Sequence, residues 1–278
     1  MSPETDIHFR ETCFRKTKNA RGRPSTMITD PLFYAVAVPA VVIMGLAKGG
    51  FMGALGMLAV PLMSLVVPPI QAAGILLPIL LAMDVFALWA YRRIWDAANL
   101  KILIPGAVVG VSIGWFTAEH VSDAHVRLIV GIVALLFSLD YWLARRSAKT
   151  GGPRPLAGAF WGAVAGFTSF VSHAGGPPLQ MYLLPQRLPP LLFAGTSVIF
   201  FAAVNWLKVI PYAALGQFNA SNLATSLVLA PLAPISIFAG VWLVRVIKPD
   251  LFYRLAYLLV FVVSLKLIWD GVFGIVAM

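Results

Sequence analysis

The stretch PPIQAAGILLPILLAMDVFALWAY, residues 68–91, contains the two features that decide the fold of this chain. From Ile70 to Tyr91 it is almost entirely apolar, and a helix needs about 20 apolar residues to cross the hydrocarbon core of a bilayer. Its opening pattern, Pro-Pro-x-x-x-Ala-Gly, recurs at residues 189–195 in front of a second apolar run. The stretch therefore predicts a membrane-spanning helix in a chain that contains two copies of one unit.

The composition of the whole chain agrees with a membrane protein. Of its 278 residues, 60% are hydrophobic and 12% are charged, whereas average soluble domains carry about 25% charged residues. This excludes a disordered protein, a secreted disulfide scaffold and an ordinary cytosolic enzyme. The only cysteine, Cys13, rules out both an internal disulfide and a Cys-based metal site.

A series of apolar runs begins at Leu32. Backbone polar groups in lipid must be satisfied internally, and the alternating pattern of an outer-membrane barrel is absent from the sequence, so the runs are expected to be helices. We predict an all-α integral membrane protein, a polytopic helical bundle with eight to ten membrane segments. The runs are 32–48, 51–66, 70–91, 100–118, 124–144, 156–171, 175–188, 190–209, 221–244 and 250–275.

The two halves of this series match each other at one constant offset. The match aligns Gly45 with Gly166 and Asp84 with Asn205, in addition to the Pro-Pro-x-x-x-Ala-Gly pattern. Internal repeats with paired Gly/Pro-interrupted segments are typical of secondary transporters. We therefore predict transmembrane repeat 1 at 30–145, a cytoplasmic linker at 146–155 and transmembrane repeat 2 at 156–278.

Lysine and arginine placement predicts how the repeats are oriented. The net charge of +10 comes mostly from basic residues in the N-terminal tail and in short loops, which indicates membrane orientation and no nucleic-acid partner. The clusters at 92–101, 145–154 and 245–254 should be cytoplasmic, and the acidic loop at 119–123 should be outside. This requires an odd number of crossings per repeat, so the repeats would be inverted and both chain ends external.

The polar, basic tail at residues 1–29 conflicts with that orientation. One interpretation is that translation starts at Met27, which would remove the conflict. The rival interpretation has eight crossings, with each split pair forming one broken helix. It places the tail on the cytoplasmic side but puts the basic cluster at 245–254 on the outside.

Two glycine-rich segments are expected to break helices within the membrane. They are GLAKGGFMGALG at 45–56 and its repeat partner GFTSFVSHAGGPP at 166–178. Broken helices at membrane depth occur where the backbone lines a cavity, and their ends suit anions. The predicted substrate-binding residues are Lys48, Gly49, Gly50, Ser169, Ser172, His173, Gly175 and Gly176. For the Gly-x-x-x-Gly pairs at 106–110 and 158–162, away from the breaks, close helix packing is the preferred interpretation.

The ionisable groups within the apolar runs allow alternatives. Lys48 either pairs with an anionic substrate or extends to an interface. His173 is either a proton carrier or a hydrogen-bonded residue at a helix end. Asp84 either couples proton flux, as His173 could, or makes a structural bond. Lys208, one turn after Asn205, is expected near a membrane interface.

One sequence pattern resembles an enzyme motif. Gly110-Val-Ser-Ile-Gly114 matches G-x-S-x-G, so an intramembrane protease could combine Ser112 with His173. The motif requires a strand–turn–helix context, whereas here it lies in an apolar run and its glycines fit a packing stripe. We therefore expect no enzyme, and no cofactor or metal.

At this point the sequence resembles the TauE/SafE sulfite exporters. The resemblance covers roughly residues 30–275 and rests on GLAKGGF at 45–51, PPIQAAG at 68–74, SHAGGPPL at 172–179 and LPPLLFAGT at 188–196. It implies a multi-pass carrier of the cell (inner) membrane for a sulfur-containing anion such as sulfite or a sulfonate. The expected partners are that anion, the lipid bilayer and protons, with homo-oligomerisation left open. A protease of the kind above and a membrane assembly factor remain the alternatives.

Overall fold

The computed structural model describes residues 28–50, 56, 58–63, 65–67, 69–117, 122–143, 152–172, 174–214 and 220–276, and within them the chain is helical without strands. The basic tail up to the alternative start at Met27 lies outside the described residues, as does most of the linker. The helices, in chain order, are α1 Pro31–Lys48, α2 Ala59–Met63, α3 Pro69–Tyr91, α4 Ala97–Thr117, α5 Asp123–Leu143, α6 Pro155–Ser172, α7 Gly176–Leu183, α8 Pro190–Ala214, α9 Ala220–Leu229, α10 Leu232–Val246 and α11 Pro249–Val276.

Proline sets where several helices begin. A first helical residue has no use for its backbone N–H, and proline's fixed φ suits a helix, so proline is favoured there. At α1 the preceding Asp30 adds a cap, because its Oδ1 accepts a hydrogen bond from the backbone N–H of Leu32 at 2.9 Å. The starts predicted from the sequence agree with the observed ones to within one residue at Pro31, Pro69, Pro155, Pro190 and Pro249.

The lengths of the helices confirm an all-α membrane protein. Five described helices are long and apolar enough to span a bilayer: α1, the Gly74–Tyr91 part of α3, α4, the Pro190–Pro211 part of α8, and α11. The pair α9 and α10 would make a sixth span, and Ala124–Leu139 and Pro155–Val171 are shorter apolar helices. The total of eight to ten segments therefore stays a prediction.

The apolar run at 221–244 is not one continuous helix. It divides into α9 and α10, which meet at a 49° bend. The break falls at Ala230 and Pro231. Proline has no backbone N–H to continue the hydrogen-bond ladder and its ring clashes with the preceding turn, so it kinks or ends a helix.

Small residues let α4 and α6 pack backbone against backbone. A Cβ added at Gly106 would lie 2.4 Å from the carbonyl oxygen of Ala159, and one at Gly110 would lie 1.9 Å from that of Ala163. Facing them, a Cβ added at Gly162 would lie 2.5 Å from the carbonyl oxygen of Leu103. The packing interpretation of these glycine pairs is therefore confirmed.

The same packing accounts for the enzyme-like motif. Ser112 lies within α4, a continuous helix from Ala97 to Thr117, and not on a strand–turn–helix elbow. A Cβ at Gly114 would meet the ring of Phe170 at 3.0 Å. Both motif glycines thus contact α6, so the pattern needs no catalytic explanation.

Contacts between helices show the relative directions of three helix pairs. Residue numbers increase in the same direction along the contact between α4 and α6, so these helices are parallel. The helices α1 and α10 are parallel too, because Gly45 faces Ser236 and Gly49 faces Gly240. In contrast, α5 and α11 run antiparallel, since Gly131 faces Ile268. The contacts between α5 and α11 continue at their ends, where Ala124 faces Gly274.

Basic residues gather at one end of the bundle. Arg92 and Arg93, after α3, line one groove together with Arg245 from the end of α10. At the start of α6 the backbone N–H of Arg154 donates to the hydroxyl of Tyr182, and the guanidinium of Arg187 lies over the ring of Tyr253. Two clusters predicted to be cytoplasmic, 92–101 and 245–254, therefore share a groove.

Candidate functional site

The first predicted break is present at the end of α1. The helix ends at Lys48, and Gly50 has a φ of +92°, a conformation that favours glycine. A Cβ at Gly50 would also lie 2.5 Å from the Cβ of Ala194 and 2.7 Å from the Tyr91 hydroxyl. Tyr91 donates a hydrogen bond to the carbonyl oxygen of Gly49 at 2.7 Å. The break is thus held against α3 and α8.

The second predicted break lies between α6 and α7. His173 and the side chain of Ser172 lie outside the described residues, so their roles stay predictions. The backbone N–H of Ala174 donates to the carbonyl oxygen of Thr168 at 3.1 Å, which caps the end of α6. A new helix then begins at Gly176, with proline in its first turn.

Both breaks line one cavity of about 90 Å³. That volume is several times what one water molecule needs, so the cavity suits an ion with a few heavy atoms. The polar and glycine residues lining it are Lys48, Gly50, Gly56, Ser169, Gly176, Gln180, Ser197, Asn205 and Lys208. Four of the predicted substrate-binding residues, Lys48, Gly50, Ser169 and Gly176, are therefore brought together.

The other two described glycines among the predicted substrate-binding residues pack against neighbouring helices. A Cβ at Gly49 would lie 2.5 Å from the carbonyl oxygen of Ile237 in α10. A Cβ at Gly175 would lie 2.7 Å from that of Ala165 in α6. At both positions glycine allows a close backbone approach, and neither lines the cavity.

A buried charged network lies next to the cavity. The Nζ of Lys48 forms an ion pair with the Oδ1 of Asp84. The Nδ2 of Asn205 donates to the other oxygen of that carboxylate, Oδ2, at 2.9 Å, across 121 positions of sequence. Asp84 is fully buried, whereas the Lys48 side chain is 10% exposed and lines the cavity. Lys48 therefore turns inward to Asp84 instead of extending to an interface.

Lys208 corrects an expectation from the sequence. It was expected near a membrane interface, but its exposed fraction is 1% and it lines the cavity. The reason is that α8 continues to Ala214, so Lys208 lies well inside this helix. The spacing was the signal that could have revealed it, because residues three apart on a helix share a face and Asn205 also lines the cavity.

Two further cavity residues were missed from the sequence. The Oε1 of Gln180 and the Oγ of Ser197 are buried and have no hydrogen-bond partner among the described residues. Buried polar atoms are nearly always paired, so each unpaired one needs an explanation. Here both belong to side chains that line the cavity, where a ligand's polar atoms could satisfy them.

Comparison with known proteins gives one match. The family model described as Sulfite exporter TauE/SafE matches residues 37–267, which include every residue that lines the cavity. No match was found among curated proteins or among solved structures.

The charged network predicts a non-additive effect on stability. Lys48→Met should lower the free energy of unfolding by about 3–5 kcal/mol, because it leaves the fully buried Asp84 carboxylate without its cation. Lys48→Met combined with Asp84→Asn should recover most of that loss, since the two members of the pair are removed together and no buried carboxylate is left without its lysine. The measurement is a double-mutant cycle of apparent unfolding free energies in detergent micelles.

Lys266→Met is the matched control for this cycle. Lys266 forms an ion pair with Asp270 four residues later, but its side chain is 43% exposed. Such exposed pairs contribute roughly 0–1 kcal/mol. Additive losses from Lys48→Met and Asp84→Asn would contradict the assignment of a buried, mutually dependent pair.

Proposed function

The chain belongs to the sulfite exporter TauE/SafE family, whose members are membrane transporters for sulfur-containing anions, and we propose that it carries a small anion of this class by alternating access around the cavity. The observation that carries this proposal is that both helix breaks, one from each half of the sequence, line a single cavity with two lysines. Irregular backbone at membrane depth occurs where it lines a cavity, and transporters commonly bind substrate at paired discontinuous helices.

The family also argues against an enzyme. Its members are transporters, and Ser112 lies in a continuous helix whose flanking glycines pack against α6. An assembly factor would have no use for a cavity lined by two lysines and by unpaired buried polar groups. The cell (inner) membrane is the proposed location.

We further propose that the two halves are inverted repeats. Matched helices related by a two-fold axis in the membrane plane must run antiparallel to each other. The third matched pair, α3 and α8, supports this: Asp84 bonds Asn205, while Tyr91 packs against Gly195 near the start of α8. The last matched pair, α5 and α11, is also antiparallel.

A two-fold axis that exchanges the halves must also turn each contact between unmatched helices of the two halves into an equivalent contact. The first helix of repeat 1, α1, packs against α10 of repeat 2, and the first helix of repeat 2, α6, packs against α4 of repeat 1. Both of these contacts are parallel. Rocking of one half against the other about their shared cavity would then open it alternately to the two sides.

Asp84 and His173 are the proposed proton-coupling groups. Asp84 is fully buried, and one of its carboxylate oxygens is bonded to Lys48 within the first half while the other accepts a hydrogen bond from Asn205 across the interface between the halves. A change in its protonation would alter the bonds that join α3 to α1 and to α8. His173 is a candidate through its sequence position in the second break and its titration near neutral pH.

The substrate class is tested by binding and transport with purified protein. Sulfite, thiosulfate, taurine, sulfoacetate and sulfate are screened by thermal shift, and the best ligand is followed by uptake into proteoliposomes. We expect saturable uptake that falls at least about tenfold in Lys208→Met, equivalent to about 1.4 kcal/mol. Lys101→Met, which changes an exposed lysine at the start of α4, should transport like the native protein. Failure of every anion to bind saturably would contradict the proposed carrier.

Inversion is tested by cysteine accessibility. In a Cys13→Ser background, single cysteines at positions 96, 149 and 248 should be labelled from the cytoplasmic side and one at position 121 from outside. This is expected because only an odd number of crossings per repeat places all three basic clusters inside. Opposite labelling of positions 149 and 248 would support eight crossings without inversion.

Proton coupling is tested with Asp84→Asn. The amide keeps much of the hydrogen-bonding capacity of the carboxyl and makes this position the same as Asn205 in the other half. We expect this variant to bind and exchange substrate but to lose accumulation driven by a pH gradient. Accumulation that persists at the native level would assign Asp84 to structure and leave His173 as the candidate.

A further inference from the structure

The charges at the cavity do not balance one another. Among the described residues, the charged groups that line or adjoin it are Lys48, Lys208 and Asp84, and no second carboxylate lines it. Both oxygens of Asp84 are already bonded, one to Lys48 and one to Asn205. With both lysines protonated, two cations share one anion, and one positive charge is left over.

Lys208 carries that surplus charge. Its side chain is 1% exposed, and it forms no ion pair within the described part of the chain. It lies within electrostatic range of both Lys48 and Asp84. Were Asp84 to turn toward Lys208 instead, Lys48 would become the unpaired cation, so the surplus is the same in either arrangement. An unpaired buried cation is costly in a membrane, and an entering anion removes that cost.

The neutral groups around Lys208 suit an oxyanion. Ser197 and Lys208 both line the cavity from α8, and Gln180 lines it from α7. The unpaired hydroxyl of Ser197 can donate a hydrogen bond to a ligand oxygen. The amide of Gln180 offers both a donor and an acceptor, so it can bond either an oxygen or a protonated group on the ligand.

We propose that the cavity accepts one negative charge and selects monoanions over dianions of similar size. This inference rests on the proposed anion-carrier function and adds its charge specificity. A monoanion such as a sulfonate or hydrogensulfite neutralises the surplus cation. A dianion such as sulfate or thiosulfate would leave an unpaired negative charge in a site of low dielectric, which is unfavourable.

The test compares methanesulfonate with sulfate by calorimetric titration of the purified full-length protein in detergent. Both probes are small sulfur oxyanions, and their charges do not change near neutral pH. The native protein should prefer methanesulfonate by at least about tenfold. Asp84→Asn adds one positive charge to the cavity, so it should shift the affinity ratio at least about tenfold toward sulfate, because a dianion gains twice the attraction of a monoanion.

Three further variants test whether the result is specific to charge. Lys208→Met should weaken the binding of both probes, whereas Lys266→Met, at the exposed pair in α11, should match the native protein. The double variant Lys48→Met with Asp84→Asn keeps one surplus lysine and should keep the native preference. This double variant also tests the charge count if Asp84→Asn alone does not fold.

The outcomes separate this inference from the function on which it rests. If the native protein binds neither probe nor any anion of the screen, the carrier proposal is wrong. If it binds both probes but Asp84→Asn leaves their affinity ratio unchanged, only the charge count is wrong. A native preference for sulfate, or a double variant that prefers sulfate, would also overturn the charge count.

Discussion

The ion pair between Lys48 and Asp84, completed by Asn205, is the contact on which the arrangement of the cavity depends. A charge in the interior of a membrane protein is tolerated only when it is paired or hydrogen-bonded. Asp84 is fully buried and receives both its partners across helix boundaries, one from the end of α1 and one from α8. The requirement to satisfy one carboxylate therefore fixes where α1 must end relative to α3 and α8, and with it the position of the first break.

Much of the fold follows from the sequence because lipid allows few alternatives. The apolar runs predicted several helix starts to within one residue, and the sequence match between the two halves aligned Asp84 with Asn205, two side chains that the structure joins by a hydrogen bond. The bend at Pro231 was missed because the flanking run is uniformly apolar. Lys208 was misplaced because hydropathy assigns every lysine a preference for the interface, whereas its true environment is set by a cavity formed by five helices from both halves of the sequence.

Glycine shows why the candidate site was only partly predictable. Gly49 and Gly50 are neighbours in the same break, yet Gly49 packs against the backbone of α10 while Gly50 adopts a positive φ and lines the cavity. The sequence pattern for a broken helix and that for close helix packing are both runs of small residues. Only the three-dimensional neighbours decide which role each glycine has, so the sequence could locate the break but not the lining residues.

The surplus charge of the cavity links binding to the conformational cycle proposed for the two halves. In this structure Lys208 is buried and has no counter-ion among the described residues, so a closed state that buries the protonated lysine is unfavourable until an anion enters. A state in which the cavity opens to water solvates the same lysine and carries a smaller penalty. An anion therefore stabilises the closed state relative to the open state by the difference between its binding free energies for the two states. The same lysine that attracts the substrate would thus hinder the empty protein from passing through the closed state. A carrier needs this hindrance, because otherwise it would change conformation without its substrate.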